Sequence, residues 1–451
     1  MKPILHRKDP SHRRLCGALC SLLRVRPFSR GELDNFRRHR LRRIIAHAYD
    51  HVPYYRRLFD GRDLKPQDIR TVEDLRKIPV TSKKDLRLLP AKEVIARNAK
   101  LDRLFVHRTS GSSGEELAIR RGWLEDLNWQ FFHLRGMHDF GRRVTDRHAR
   151  VELLGYRDHA GGWAQKKILR HLGFYRTQSV DCLRPPQEIL RRLQEFRPDI
   201  VSGLAGVLTQ VAYSAPGRAQ QKARPRFVMS TGEVLTSAMR RQIREAFGAP
   251  VYDMYSCYEV GCLAWECKET GEYHTCDDNV VIEILKQGRP AEEGERGEVV
   301  ATSLHSFTMP FIRYRLGDIV TRGSDLCRCS RPFSTIREIQ GRMIDYLVLP
   351  GGKLVHPYSI VLCFIDDCPW IQQYRIIQEK ADRIRLEVVA SPRPGVRELA
   401  RLKKQVTELL GPGADFLVVL VPEIRPEPNG KFLVARSLVK SNYDDLDWGQ
   451  I

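Results

Sequence analysis

Residues 109–114 read TSGSSG: Thr109, Ser110, Gly111, Ser112, Ser113 and Gly114, two glycines among four hydroxyl side chains. The strand-like RLFVHR precedes them, and Glu115 and Glu116 follow. A polyphosphate is held by several converging N–H donors, and residues this small let the backbone approach phosphate oxygens closely. A helix opening beyond the loop would add its partial positive charge. No Gly-Lys-Ser/Thr ends the segment, so it is not a Walker loop, and alone it fits a flexible surface turn better than a phosphate loop. A second constellation is metal-like. Six of the eleven cysteines fall between Cys257 and Cys329. Cys267 and His274 flank a predicted hairpin, and Cys327 and Cys329 form a Cys-x-Cys pair further along. Three thiolates and one imidazole make a closed tetrahedral zinc site, structural because no position is left open. Cys262 and Cys276 are rival ligands, and scattered free thiols are the plain alternative.

Three more turns carry polar groups at the ends of predicted strands. STGEVLT (230–236) holds Gly232 and Glu233, and would serve equally as a helix cap. YSCYE (255–259) places Tyr255 and Glu259 at the C-terminal end of a predicted parallel strand, where open α/β sheets bind ligands. RYRLGDIV (313–320) sets Asp318 in a Gly-Asp turn, a common turn residue in its own right.

These turns need a scaffold. Residues 32–90 have apolar positions at helical spacing, with TVEDLRKIP and TSKKDLRLLP carrying cap-like starts. From about residue 100 the pattern becomes strand, turn, helix. HARVELLGY reads as a strand, QEILRRLQEF as an amphipathic helix, and PDIVSGLAGVLTQVAYSA as strand, Gly turn and helix. RFVMSTGEVLTSAMRRQIREAFG repeats that logic, with Gly248 as the helix stop. Alternating β and α units imply a mostly parallel sheet with helices on both faces. NVVIEIL, GEVVATSL and DIVTRG then follow without long helices, a β-rich subdomain over about 260–335. The last hundred or so residues read β, β, α, β, a small α+β module. The expected organisation is an arginine-rich extension over 1–31, a large domain over 32–341 and a small mobile domain over 342–451. The fold class is α/β.

The bulk composition excludes several classes. A chain of 451 residues exceeds one ordinary core. No apolar run approaches the roughly 20 residues that cross a bilayer, and FLVVLV at 416–421 fits a buried strand. LCGALCSLL (15–23) follows two arginines but lacks a small-residue cleavage site, so it reads as a short helix rather than a signal peptide. Eleven cysteines without a signal peptide point to a reducing cytoplasm. The net charge of +21 is scattered arginine, densest in RRHRLRR (37–43). No nucleic-acid motif accompanies it, so no specific nucleic-acid partner is expected, while an anionic nucleotide or an acidic carrier protein would suit. The oligomeric state is not set by the sequence; a homodimer is one option.

Taken in order, TSGSSG, STGE, YSCYE, RYRLGD, GRMID and the Asn-Gly-Lys near residue 430 resemble the adenylate-forming superfamily of acyl-CoA synthetases. The resemblance is to its phenylacetate–CoA ligase-like branch, whose opening segment IIAHAYDHVPYYRRLFDG also looks similar. The resemblance implies ATP-dependent activation of a carboxylic acid as acyl-AMP, followed by transfer to a thiol, CoA before others. Transfer to a carrier protein or an amine is the alternative, and a non-catalytic adenylation-fold binding protein the third option. It implies that Thr109 to Gly114 wrap the β- and γ-phosphates of ATP. Gly232 and Glu233 would flank adenine with Tyr255 stacked on it, and Glu259 would hold Mg²⁺. Asp318 would accept from the ribose hydroxyls, Arg342 would reach ribose or phosphate near a hinge, and Lys431 would swing in on the small domain to stabilise the reacting charges. Zn²⁺ at Cys267, His274, Cys327 and Cys329 has parallels in that branch. The sequence departs from the pattern at Tyr258, where Thr is usual, at Ile344 in the hinge, and at Glu115 and Glu116, where small or proline residues are usual. SGLAGVL (202–208) leaves room for an aromatic or apolar acid.

Overall fold

In a computed structural model the described residues are 29–108, 117–154, 176–214, 224–342, 347–350, 354–355, 357–360, 364–365, 368–425, 427 and 434–439. The TSGSSG segment at 109–114 with Glu115 and Glu116, the hinge residues 343–346, the Arg342 side chain and Lys431 lie outside them.

The chain opens on helix α1 (Arg30–His51), started by a capping box in which Ser29 and Glu32 satisfy each other's backbone N–H. Leu33, Leu41, Ile44, Ile45 and Ala48 fall on one face and are buried. The arginine run divides by the same periodicity. Arg38, His39, Arg42 and Arg43 face solvent, whereas Arg37 lies inward near Asp34 and Asp277. A second helix, α2 (Pro53–Asp60), packs beside α1 and shares its core with Val281, Leu304 and Ile312 of the β-rich region.

Strands β1 (Phe105–Arg108) and β2 (Ala118–Arg121) form an antiparallel hairpin around residues 109–117. Helix α3 (Trp123–Asp139) follows, and its Gly136 lies so close to the sheet that a Cβ there would stand 2.7 Å from Met254 Cε. The strand–helix alternation then runs β3 (His148–Glu152), β4 (Thr177–Asp181), α4 (Pro186–Phe196), β5 (Ile200–Gly203), α5 (Ala205–Tyr213), β6 (Phe227–Thr231), α6 (Ser237–Phe247) and β7 (Val251–Cys257). Every residue of β5 is buried, as expected of a parallel strand covered on both faces. Helix α5 is apolar nearly all round because it is packed between α4, α6 and the sheet. Gly248 ends α6 with φ +61, the left-handed stop that glycine adopts at little cost.

The remaining strands are β8 (Gly261–Glu266), β9 (Tyr273–Thr275), β10 (Val280–Lys286), β11 (Arg289–Pro290), β12 (Arg296–Ser303), β13 (Tyr314–Arg322) and β14 (Thr335–Arg342). They do not form a sheet of their own. One twelve-stranded sheet runs β11-β10-β12-β13-β14-β9-β8-β7-β6-β5-β3-β4. Pairing is parallel from β4 to β7 and antiparallel from β7 to β11. Parallel pairing is thus confined to one end of the sheet. Short hairpin connections replace crossover helices beyond β7, and hairpins can only make antiparallel neighbours.

Past the short pair β15 (Leu347–Val348) and β16 (Leu354–Val355), a second sheet forms from β17 (Ile371–Lys380), β18 (Arg383–Ala390), β19 (Asp415–Leu420) and β20 (Ala435–Ser437), in the order β19-β18-β17-β20. Helix α7 (Val396–Leu410) lays Leu402, Val406 and Leu410 on it, and this part has its own core. It meets the larger part at α5. Gln210 donates to the carbonyl of Ile424 at 3.4 Å, and the Tyr213 hydroxyl donates to that of Ile371 at 3.4 Å.

Candidate functional site

Three of the sequence turns converge at the C-terminal ends of β6 and β7. The Thr231 hydroxyl, at the end of β6, donates to the Met254 carbonyl at 3.0 Å and lies 3.1 Å from the Ser256 hydroxyl. The next residue, Gly232, has φ +78, and a Cβ there would crowd Leu204 Cδ2 at 3.1 Å. Glu233 turns its carboxylate to α5, where it accepts from the Gly206 N–H at 2.7 Å. A negative charge on the first turn of a helix is favourable, and it ties the STGE turn to the SGLAGVL segment.

Tyr255 on β7 donates its hydroxyl to Asp318 Oδ2 on β13 at 2.5 Å. Three strands, β8, β9 and β14, separate these two in the sheet. In a flat sheet they would stand roughly 19 Å apart, at about 4.8 Å per strand spacing. The antiparallel end must therefore curl back toward β7, which makes that face of the open sheet concave. Asp318 also lies opposite Arg342 in the β13–β14 register, so the backbone brings those two predicted residues together. Glu259 follows β7 at the same end, and the buried Tyr314 hydroxyl donates to its Oε1 at 3.5 Å. Burial first, and the Glu259 charge next, push the Tyr314 hydroxyl well above its ordinary value, so it stays a donor.

A neighbouring layer was not visible in the sequence. Tyr258 stacks on His107 (6.2 Å between ring centroids, 18° between planes) and on Trp129 of α3 (6.3 Å, 6°). The large ring at 258 is accommodated as the middle of this stack. His107 Nε2 lies 3.0 Å from Asp126 Oδ1, and Arg121 Nη1 approaches the same oxygen at 3.9 Å. Burial raises the Asp126 carboxyl, but the His107 and Arg121 partners outweigh it and hold it below its usual range. The signal that could have found this layer is the period-2 alternation across the hairpin. His107, Ile119 and Arg121 are all buried, and the register sets His107 opposite Ile119 and Phe105 opposite Arg121.

At the opposite end of β8, Cys267, His274, Cys327 and Cys329 offer ligand atoms that all lie within 4.8 Å of one another, and all four residues are buried. The β8–β9 hairpin pairs Trp265 with His274, and Cys267, two residues past Trp265, follows on the same face of the strand as Trp265. The turn between β13 and β14 brings in Cys327 and Cys329. Cys267 Sγ and Cys327 Sγ are 3.9 Å apart, and His274 Nε2 is 3.1 Å from Cys329 Sγ. A zinc tetrahedron with bonds of about 2.3 Å spaces its sulfurs by roughly 3.8 Å, so this donor set fits the ion. Burial, with Arg331 and Arg135 nearby, lowers the His274 imidazole to about 4, which keeps a lone pair available. The rival thiols point elsewhere. Cys276 accepts from Arg135 Nη2 at 2.7 Å, and Cys262 lies in the hydrophobic core.

No family model matches the chain. It is 26% identical over 403 residues to the phenylacetate-coenzyme A ligase of Thermus thermophilus, covering 84% of this chain and 86% of that one. To the enzyme of the same name from Escherichia coli it is 28% identical over 338 residues, 71% and 73% of the two chains. In fold it is similar to 2-hydroxyisobutyryl-CoA ligase crystallised in the postadenylation state with its acyl-AMP, with TM-score 0.75 at 22% identity over 92% and 91% of the chains.

Proposed function

We propose that this phenylacetate–CoA ligase-like chain, whose fold is that of the adenylate-forming acyl-CoA ligases, activates a small carboxylic acid with ATP and passes the acyl group to the thiol of CoA. In the first half-reaction a carboxylate oxygen attacks the α-phosphorus. The bond to the β-phosphate oxygen breaks, and pyrophosphate leaves. In the second, the thiol sulfur attacks the acyl carbonyl carbon, the thiol proton is lost and AMP departs. The observation that carries this reading is the curl that joins Tyr255 to Asp318 beside Glu259. It makes a concave face at the strand C-termini, with a polar pair at one side and a carboxylate at the other.

Within that reading, residues 109–114 wrap the β- and γ-phosphates. Gly232 and the backbone of Glu233 flank adenine with Tyr255, and Asp318 takes the ribose hydroxyls. Glu259 is the Mg²⁺ ligand; one carboxylate suits an ion that keeps waters and substrate phosphates in its shell, and the ion offsets phosphate charge. Arg342, at the end of β14, and Lys431, in the region after it, complete the charge stabilisation, with residues 342–451 rotating between half-reactions. Zinc at Cys267, His274, Cys327 and Cys329 pins two β-turns together and takes no part in the chemistry. The small residues of SGLAGVL favour an aromatic or apolar acid. A reducing cytoplasm suits the thiolates. Pyrophosphate release from a panel of carboxylic acids, with and without CoA, tests the proposal. Acid-dependent release lost in Lys431→Ala supports it; release that ignores the acid refutes it. Acyl-AMP that forms but transfers only to a carrier protein or amine replaces the CoA half alone.

A further inference from the structure

Arg121 ends β2, on the hairpin that carries the TSGSSG loop, and its side chain is 4% exposed. Neither Nη1 nor Nη2 has a hydrogen-bond partner among the described residues. The neighbouring carboxylates are engaged elsewhere. Asp126 Oδ1 lies closer to His107, at 3.0 Å, than to Arg121, at 3.9 Å. Glu125 accepts from the backbone N–H groups of Gly122 and Thr308. The Trp129 ring covers one side of the guanidinium at 5.6 Å. The same ring stacks on Tyr258, the residue before Glu259, at 6.3 Å. A buried guanidinium with open donors is unfavourable unless an anion completes it, and its planar fork matches phosphate oxygens.

We propose that Arg121 binds the β- or γ-phosphate oxygens of ATP and holds the departing pyrophosphate, an inference that rests on the adenylating reading above. The sequence departures give it a reason. Tyr258 presents a stacked ring instead of a small hydroxyl, and Glu115 and Glu116 add negative charge after the loop. A fixed cation on the strand that follows the loop in sequence offsets both.

Binding of MgATP, AMP and inorganic pyrophosphate to wild type, Arg121→Met and Arg121→Lys, measured by calorimetry, tests this. Loss of one or two charge-assisted hydrogen bonds weakens MgATP and pyrophosphate by roughly tenfold to a hundredfold in the Met variant, with AMP changed less than about twofold. The Lys variant keeps the charge and loses the fork, so it falls between. Equal loss of AMP and pyrophosphate, or no loss of either, overturns the proposal. Where Arg121→Met does not fold, Arg121→Lys decides on the same comparison. A wild type that binds pyrophosphate through Arg121 yet shows no acid-dependent turnover leaves the anion site standing and overturns the adenylating reading instead.

Discussion

Asp253 sits on β7, two residues before Tyr255, and is fully buried. The Tyr273 hydroxyl donates to its Oδ2 at 2.9 Å. Burial above all, and the nearby Glu266 charge, push its carboxyl up to about 6, against the pull of Tyr273, Arg240 and Ser230. In the unfolded chain the group titrates near 3.8, so the difference is worth about 3 kcal/mol. The folded state holds the proton more tightly. This stabilisation is full below about pH 4 and is lost as pH rises through 6, leaving a buried carboxylate at neutral pH. Asp253→Asn keeps the shape and an acceptor for Tyr273, and stays neutral. The variant is expected to match wild type near pH 4 and to exceed it by up to about 3 kcal/mol at pH 7.5. Thermal unfolding of both proteins from pH 4 to 8 reads this as a gap in Tm that opens across pH 5–6 and reaches a few degrees. A variant less stable than wild type at every pH, or a gap that ignores pH, refutes the reasoning.

Cys329→Ser is expected to reduce zinc from about one ion per chain to near none and to lower Tm, because a four-ligand site contributes folding energy directly; elemental analysis and a melt check both. Tyr255→Phe removes a hydrogen bond to the Asp318 carboxylate, worth about 1.5–3 kcal/mol in ordering that group, and should raise KM for MgATP roughly tenfold with a smaller change in kcat. Glu115→Gly with Glu116→Pro removes two charges after the loop, so KM for MgATP should fall, most clearly at low ionic strength where screening is weak.

What was legible in the sequence was local. Buried runs such as IVSG and FVMST, each followed by a turn and an amphipathic helix, announce β5–α5 and β6–α6, and Gly248 marks its own stop. The order of the turns likewise pointed to one class of site. Non-local geometry was not written in any window. NVVIEIL and GEVVATSL look like a separate β unit, because periodicity reports which residues face inward but not which strand comes next to which. Only the antiparallel ladder through β8, β9 and β14 makes them extend the parallel sheet, and only its curl sets Tyr255 against Asp318. The cysteines show the same limit. Spacing proposed Cys267, Cys327 and Cys329 but left Cys262 and Cys276 open, since a thiol packs in a core as readily as it binds metal. The choice is made by position relative to the end of β8. Cys262 and its strand neighbours are in the core, whereas Cys267 lies just past the last ladder pair, free to meet the β13–β14 turn. Arg121 is the sharpest case. In AIRR it is indistinguishable from Arg120 beside it, yet the pleat exposes one partly and buries the other entirely. A one-residue shift in register would exchange them. The burial of this guanidinium is therefore fixed by a hairpin register, which no composition or motif records.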